Sequence, residues 1–246
     1  MVDQNEQDLL ISKDVIERWR KVLAPVKRYH QHTVEGIEHV PPSGGCLLVV
    51  HHSLATYDGF LYGLEIYEHT GRVGTALGDD LIFKTPFLKD LAWDSGIRPA
   101  SPQSGFQLLQ SGHAVFVSPG GMWESLRPSD EARTVRWENR RGFCRLALRA
   151  QVPLVLAACP AADDIYSVRK SRLTDKLYEH FRIPFPMAKG VGRTLIPRPV
   201  KLTHYVAPPI VPPPHVPRDE EEQIAELHAE ATRVMQSLLD REKTVS

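Results

Sequence analysis

Apolar and polar positions fall into two repeating patterns along the chain. Short apolar runs rich in β-branched residues end abruptly in polar or glycine-rich segments at 47–50, 114–118 and 154–159. Runs of this length, apolar at successive positions, predict strands buried on both faces. Residues 72–78 and 200–206 read as further strands, and 30–40 as a short strand and turn. Between them, apolar residues recur at helical spacing. Ile11, Val15, Trp19, Val22, Leu23 and Val26 predict a helix over 9–28, which Pro25 should end or kink. Further helices are predicted over 60–70, 106–110, 143–150, 168–181 and 220–240, and an apolar segment over 81–91 is broken by Pro86. The segments 183–199 and 208–217 are too rich in proline and glycine for regular structure. Strands alternating with helices predict an α/β fold. We expect a single domain: a mostly parallel open sheet flanked by helices, preceded by an N-terminal amphipathic helix. The expected division is 1–30 for that helix, 31–217 for the α/β domain and 218–246 for a C-terminal helix packed on it.

Length and charge narrow the function. The chain has 246 residues, with 30 Lys and Arg against 30 Asp and Glu. No basic excess points to a nucleic-acid partner. The three cysteines, Cys46, Cys144 and Cys159, show neither disulfide nor metal-ligand spacing, which fits a reducing compartment. Residues 1–8 are acidic and polar, unlike a secretory signal. No apolar stretch approaches the ~20 residues that span a bilayer. The expected location is therefore cytoplasmic, with any membrane contact peripheral. Helix 9–28 carries Arg18, Arg20, Lys21, Lys27 and Arg28. It fits an interfacial helix on anionic lipid, and equally a helix packed on its own domain with a solvated basic face.

Two strand ends carry candidate chemistry. The run 47–50 opens into His51, His52 and, six residues after His52, Asp58. In open α/β sheets ligands bind at the carboxyl edge of the strands. A histidine there can act as a base, with a carboxylate fixing its tautomer. The run 114–118 opens into Pro119, Gly120, Gly121, Met122, Trp123 and Glu124. Paired glycines let the backbone approach a ligand, and their N–H groups are candidate oxyanion donors. Either loop alone also fits an ordinary turn; together they point to one shared site. Gly190-Val191-Gly192 lacks the third glycine of a dinucleotide fingerprint, and no Gly-x-Ser-x-Gly elbow occurs.

The segments 52–58, 119–124 and 152–155 resemble, in order and spacing, the first, third and fourth sequence blocks of the PlsC-type glycerolipid acyltransferase superfamily. The similarity extends over about 44–210. Residues 140–148 (RRGFCRLAL) are especially similar to the branch of mono- and diacylglycerol acyltransferases. The chain departs from the usual pattern in two places. Five residues, not four, separate His52 from Asp58, and Gly120 stands where the third block has a glutamate. The resemblance implies transfer of a fatty acyl group from acyl-CoA or an acyl carrier protein to a hydroxyl of a glycerolipid or similar lipid alcohol. No cofactor beyond that co-substrate and no metal is implied. His52 is the expected general base and Asp58 its orienting carboxylate. Gly120, Gly121, Glu124, Arg98 and Arg141 are expected to hold substrate. The alternatives are a lysophosphatidic acid acyltransferase, whose phosphate the altered third block disfavours, a thioester or ester hydrolase in which His52 activates water, and a silent lipid-binding relative.

Overall fold

A computed structural model describes residues 12–84, 86–169, 187–192 and 194–242. The chain enters through helix α1 (Lys13–Tyr29), capped by the Ser12 hydroxyl on the Val15 N–H. Strand β1 (Thr33–Glu35) leads to the central strand β2 (Cys46–Val50) and helix α2 (Tyr57–Thr70). Strand β3 (Gly74–Gly78) is followed by α3 (Asp80–Lys84), α4 (Pro86–Asp94) and the edge strand β4 (Ile97–Pro99). Helix α5 (Pro102–Gln110), β5 (Ala114–Val117), α6 (Gly121–Ser125) and α7 (Gly142–Ala150) come next. Strands β6 (Leu154–Ala158), β7 (Ser167–Arg169), β8 (Met187–Lys189) and β9 (Thr203–Val206) precede the last helix, α8 (Glu220–Leu239).

Seven strands form one sheet in the order β1-β9-β6-β2-β5-β3-β4, and β7 pairs with β8 apart from it. Within the main sheet every pairing is parallel except β6 with β9. Strands β2 and β6 are buried along their whole length. Helices cover both faces of a parallel sheet, which is why these strands read as unbroken apolar runs. Leu47 and Val49 face a cluster with Leu108 of α5, Phe143 of α7 and Ile224 of α8. Leu48 and Val50 face Tyr62 and Ile66 of α2. Full burial of each such side chain contributes roughly 1.5–3 kcal/mol.

Two local expectations change and one open alternative is decided. Helix α1 continues through Pro25 to Tyr29. Pro25 and Lys21 are both exposed, so the carbonyl that loses its N–H partner faces water. The apolar stripe of α1 also turns inward. Leu23 is buried, and Ile16, Trp19 and Val26 pack with it on Leu61 and Leu64 of α2, while Val22 remains 58% exposed. Trp19 stacks on Phe60 with ring centroids 5.3 Å apart. Finally, Val168 and Arg169 begin a strand and not a helix, because they pair with 187–189. The rest of that predicted helix lies outside the described residues.

The sheet topology decides what gathers at one edge. Strands β2, β5, β3 and β6 all end there. The antiparallel register, Ala157 opposite Val206 and Ala158 opposite Tyr205, makes β9 begin there. Strand β1 runs parallel to β9, with Thr33 opposite Thr203, so it begins at the same edge. Residues just past β2, β5 and β6 therefore meet residues at the starts of β1 and β9.

Candidate active site

A cleft of about 1330 Å³ opens over this edge. Its apolar lining includes Trp19, Phe60, Leu64, Leu77, Phe106 and Leu146. That exceeds the ~300–1,000 Å³ of ordinary small-molecule pockets. Lys84, Arg140, Arg145 and Arg149 stand in its lining as well. Arg145 and Arg149 are held by ion pairs to Glu220 and Glu221 of α8.

His51, His52, Ser53, Asp58, Gly120 and Gly121 line the cleft together, so both expected loops converge. Their connections differ from the expected base–carboxylate pair. Nδ1 of His52 lies 3.0 Å from the carbonyl oxygen of Ser53. A carbonyl accepts only, so Nδ1 carries the proton and Nε2 keeps its lone pair. Burial lowers the His52 pKa, with Arg127 acting in the same direction, which keeps the ring neutral at pH 7. Asp58 accepts a 2.7 Å hydrogen bond from the Ser53 hydroxyl. Burial pushes its pKa up to about 6. Ser53 thus joins the two groups, one through its carbonyl and the other through its hydroxyl. It also receives the N–H of Thr56 at 3.3 Å. Thr56 sits at φ 59°, a costly conformation for a β-branched residue, and this turn aims Asp58 back under the loop.

One of the two glycine N–H groups is engaged within the loop itself. The Gly121 N–H is bonded to the Ser118 carbonyl at 2.9 Å and is not left for an oxyanion. Gly121 has φ 53°, which glycine adopts without a Cβ penalty. A Cβ on Gly120 would lie 2.6 Å from Oε2 of Glu124. The carboxylate of Glu124 therefore occupies the space a side chain at 120 would need, brought there by one turn of α6. Glu124 is fully buried and is not among the residues that line the cleft. Burial raises its pKa to about 7, against the pull of Arg127 and of the N–H groups of Arg136 and His52.

Beneath the loop lies a buried charge cluster that sequence reasoning did not find. Nη1 of Arg127 donates to both oxygens of Asp163, at 2.9 and 2.8 Å, and to Nε2 of His51 at 2.8 Å. Its Nη2 stands 3.2 Å from Oε1 of Glu124. The bond from Arg127 makes Nε2 of His51 an acceptor. His51, its pKa pushed down to about 4 chiefly by burial, is therefore neutral and is not the base.

Arg98 and Arg141 do not line the cleft. Arg98 is buried, donates to the carbonyls of Trp93 and Ile97, and lies over the Trp93 ring at 4.2 Å. Arg141 caps α7 and turns toward α8, where its charge acts on His228. Its neighbour Arg140 takes the cleft position.

The sequence profile of the diacylglycerol acyltransferase family matches residues 70–246. The chain belongs to this family. It is 33% identical over 220 residues to a bovine protein described as a "DGAT1/2-independent enzyme synthesizing storage lipids", covering 88% of this chain and 61% of that one. The human protein of the same description is 31% identical over 219 residues, covering 88% of this chain and 63% of its own. The chain thus spans about three fifths of the length of these relatives. In fold it is similar to the 1-acyl-sn-glycerophosphate acyltransferase PlsC of Thermotoga maritima, with a TM-score of 0.53, 16% identity, and 96% and 87% of the two chains covered. The expected branch and the expected sheet architecture are therefore both found.

Proposed function

We propose that the protein is an O-acyltransferase that moves a fatty acyl group from acyl-CoA or an acyl carrier protein to a hydroxyl of a neutral glyceride. The observation that carries this reading is His52, which has a fixed neutral tautomer and lines a long cleft with apolar walls. Nε2 removes the acceptor hydroxyl proton as the oxygen attacks the thioester carbonyl carbon. The tetrahedral oxyanion collapses, the C–S bond breaks, and the thiolate takes the proton back from Nε2. No covalent enzyme intermediate forms. Asp58 stabilises the transient imidazolium at one remove, through Ser53. The cations in the cleft lining suit the phosphates of the donor, and the apolar walls suit its acyl chain. The relatives' description as storage-lipid enzymes supports a neutral acceptor.

The test is thiol release from a long-chain acyl-CoA with and without candidate acceptors. We expect release that depends on mono- or diacylglycerol. Dependence on lysophosphatidic acid overturns the acceptor, and release without any acceptor makes the protein a hydrolase.

No described helix is long and apolar enough to cross a membrane. The inward stripe of α1 leaves a different surface for peripheral contact. Val22 and Tyr29, seven residues apart, share one exposed face of α1. The Tyr29 hydroxyl bonds the Pro197 carbonyl, which brings Leu195 and Ile196, 72% and 59% exposed, beside that face. Arg18, Lys21 and Arg28 are on the same helix. We read this patch as the contact with a bilayer bearing anionic headgroups. Changing Leu195 and Ile196 together to Asp is expected to reduce sedimentation with phosphatidylserine vesicles at least tenfold. Turnover of a short-chain, water-soluble acceptor should be unchanged. Undiminished vesicle binding by this variant removes the patch from the membrane contact.

A further inference from the structure

We propose that His32 and His204 form a buried proton relay that sets the charge of Asp58, and through it the competence of His52 as a base. The inference rests on the roles given above to His52 and Asp58. Its starting point is the topology. His204 lies in β9 and His32 immediately before β1, and those two strands begin at the edge where β2 delivers the catalytic loop.

The contacts lead in series from the surface to Asp58, with a charge contact at His32 Nδ1 and a last link longer than a hydrogen bond. Lys27 Nζ holds Glu65 Oε1 at 2.7 Å and Glu68 Oε2 at 3.1 Å, where it is partly exposed. The same Oε1 lies 3.4 Å from Nδ1 of His32. Nε2 of His32 is 2.9 Å from Nδ1 of His204. Nε2 of His204 is 3.9 Å from Oδ2 of Asp58. A shift of about 1 Å brings that last pair within hydrogen-bond reach. Both histidines are buried, and the His204 ring is stacked on Tyr62 with centroids 5.0 Å apart, which fixes its plane.

Donors and acceptors in this series allow two arrangements. In one, His32 is an imidazolium between Glu65 and His204, His204 carries its proton on Nε2, and Asp58 is a carboxylate. In the other, the proton on His32 Nε2 has passed to His204 Nδ1, and the proton on His204 Nε2 has passed to Asp58 Oδ2. Charge and protons balance: an ion pair separated by a neutral ring becomes three neutral groups. A buried carboxylate without a compensating cation is unfavourable. The first arrangement supplies that cation across one imidazole.

The other charged and titratable groups near the series act consistently with it. Glu65 and Glu68 of α2 and Lys27 of α1 form its outer end. From the catalytic loop, His51 is neutral and disfavours charge on His204, as His32 does. Asp163 disfavours charge on Asp58, and His32 favours it. Burial holds His204 well on the neutral side, as a relay ring between two charged ends requires.

The experiment follows the side-chain carboxyl carbon of Asp58 and the ring nitrogens of His32 and His204 by NMR against pH, in the full chain without substrate. In the wild type, Asp58 should titrate near pH 6, and the ring nitrogens of His204 should report its change of charge. In His204→Phe, which keeps a ring on Tyr62, the Asp58 midpoint should rise by at least one pH unit. His32→Gln, which keeps a polar group toward His204 but cannot hold the charge, should move it the same way. The acid limb of kcat/KM should move with it, so that at pH 5.5 each variant loses a further tenfold or so while KM stays constant. A His204 ring that does not respond to the Asp58 step, or an Asp58 midpoint unmoved in both variants, overturns the relay. A His204 ring that follows Asp58 in a chain that transfers no acyl group retains the relay and overturns only the reaction assigned to the site.

Discussion

Replacing His52 by alanine is expected to reduce acyl transfer by about 10²–10⁴-fold, the usual contribution of a positioned general base. The fold should survive. His52 stands past the end of β2, where its ring bonds the carbonyl of its own neighbour and supports no second element. Its removal leaves the Arg127 cluster and the Asp58–Ser53 bond intact. The thermal midpoint should therefore stay within a few degrees of wild type. Asp58→Asn should cost less than His52→Ala, because the carboxylate acts through Ser53 and not on the ring itself. An amide at that position still accepts the Ser53 hydroxyl bond. Steady-state rates at pH 7.5 separate the outcomes. Near-wild-type turnover in His52→Ala would sink the base assignment. Equal losses in the two variants would mean that substrate binding rebuilds a direct His52–Asp58 pair.

Much of the sheet was legible because its central strands are buried on both faces. Leu47, Leu48, Val49 and Val50, and likewise Leu154, Val155 and Leu156, have no polar position to hide the pattern. The loops after β2 and β5 could be read as a site for the same reason: an apolar run that stops at histidine or paired glycine marks a carboxyl edge. Side-chain direction was not legible. Spacing placed Glu124 four residues past Gly120, but only the fold shows that it turns under the glycine and out of the cleft lining. Spacing could not tell Arg140 from Arg141 at the start of α7, one in the cleft lining and the other toward α8. The same limit left the inward turn of Trp19 as one of two readings. Partners from distant elements were harder still. His204 lies in a short strand otherwise read for its apolar residues, and His32 lies 172 positions away from it. Asp163 was the most accessible of the missed groups. It follows a buried strand by five residues, the same position at an edge that drew attention to His52.

Arg127→Met should unfold the protein more readily than any change in the cleft itself. The guanidinium binds Asp163 with both oxygens, bonds His51 and faces Glu124, and its side chain is 2% exposed. Methionine fills a similar volume but supplies no donor. Two carboxylates are then left buried without a cation, a loss of about 3–5 kcal/mol. For a chain of this size that corresponds to a fall in Tm of roughly 10 °C. The loss should depend on pH in a definite direction. Glu124 in the folded protein holds its proton up to about pH 7, above the ordinary glutamate range. The folded state therefore binds more protons than the unfolded one across that interval, and stability falls as pH rises through it. Arg127 opposes this by favouring the charged form. Without it the interval widens upward, so the deficit of the variant should be larger at pH 8 than at pH 5.5. Adding Glu124→Gln to Arg127→Met should recover part of the loss at pH 8 and less at pH 5.5, because the residues share one network and their effects do not add. Urea denaturation of the wild type, Arg127→Met, Glu124→Gln and the double variant at both pH values makes the comparison. A deficit in Arg127→Met that is independent of pH, with no recovery in the double variant, would show that Arg127 stabilises the loop by packing alone.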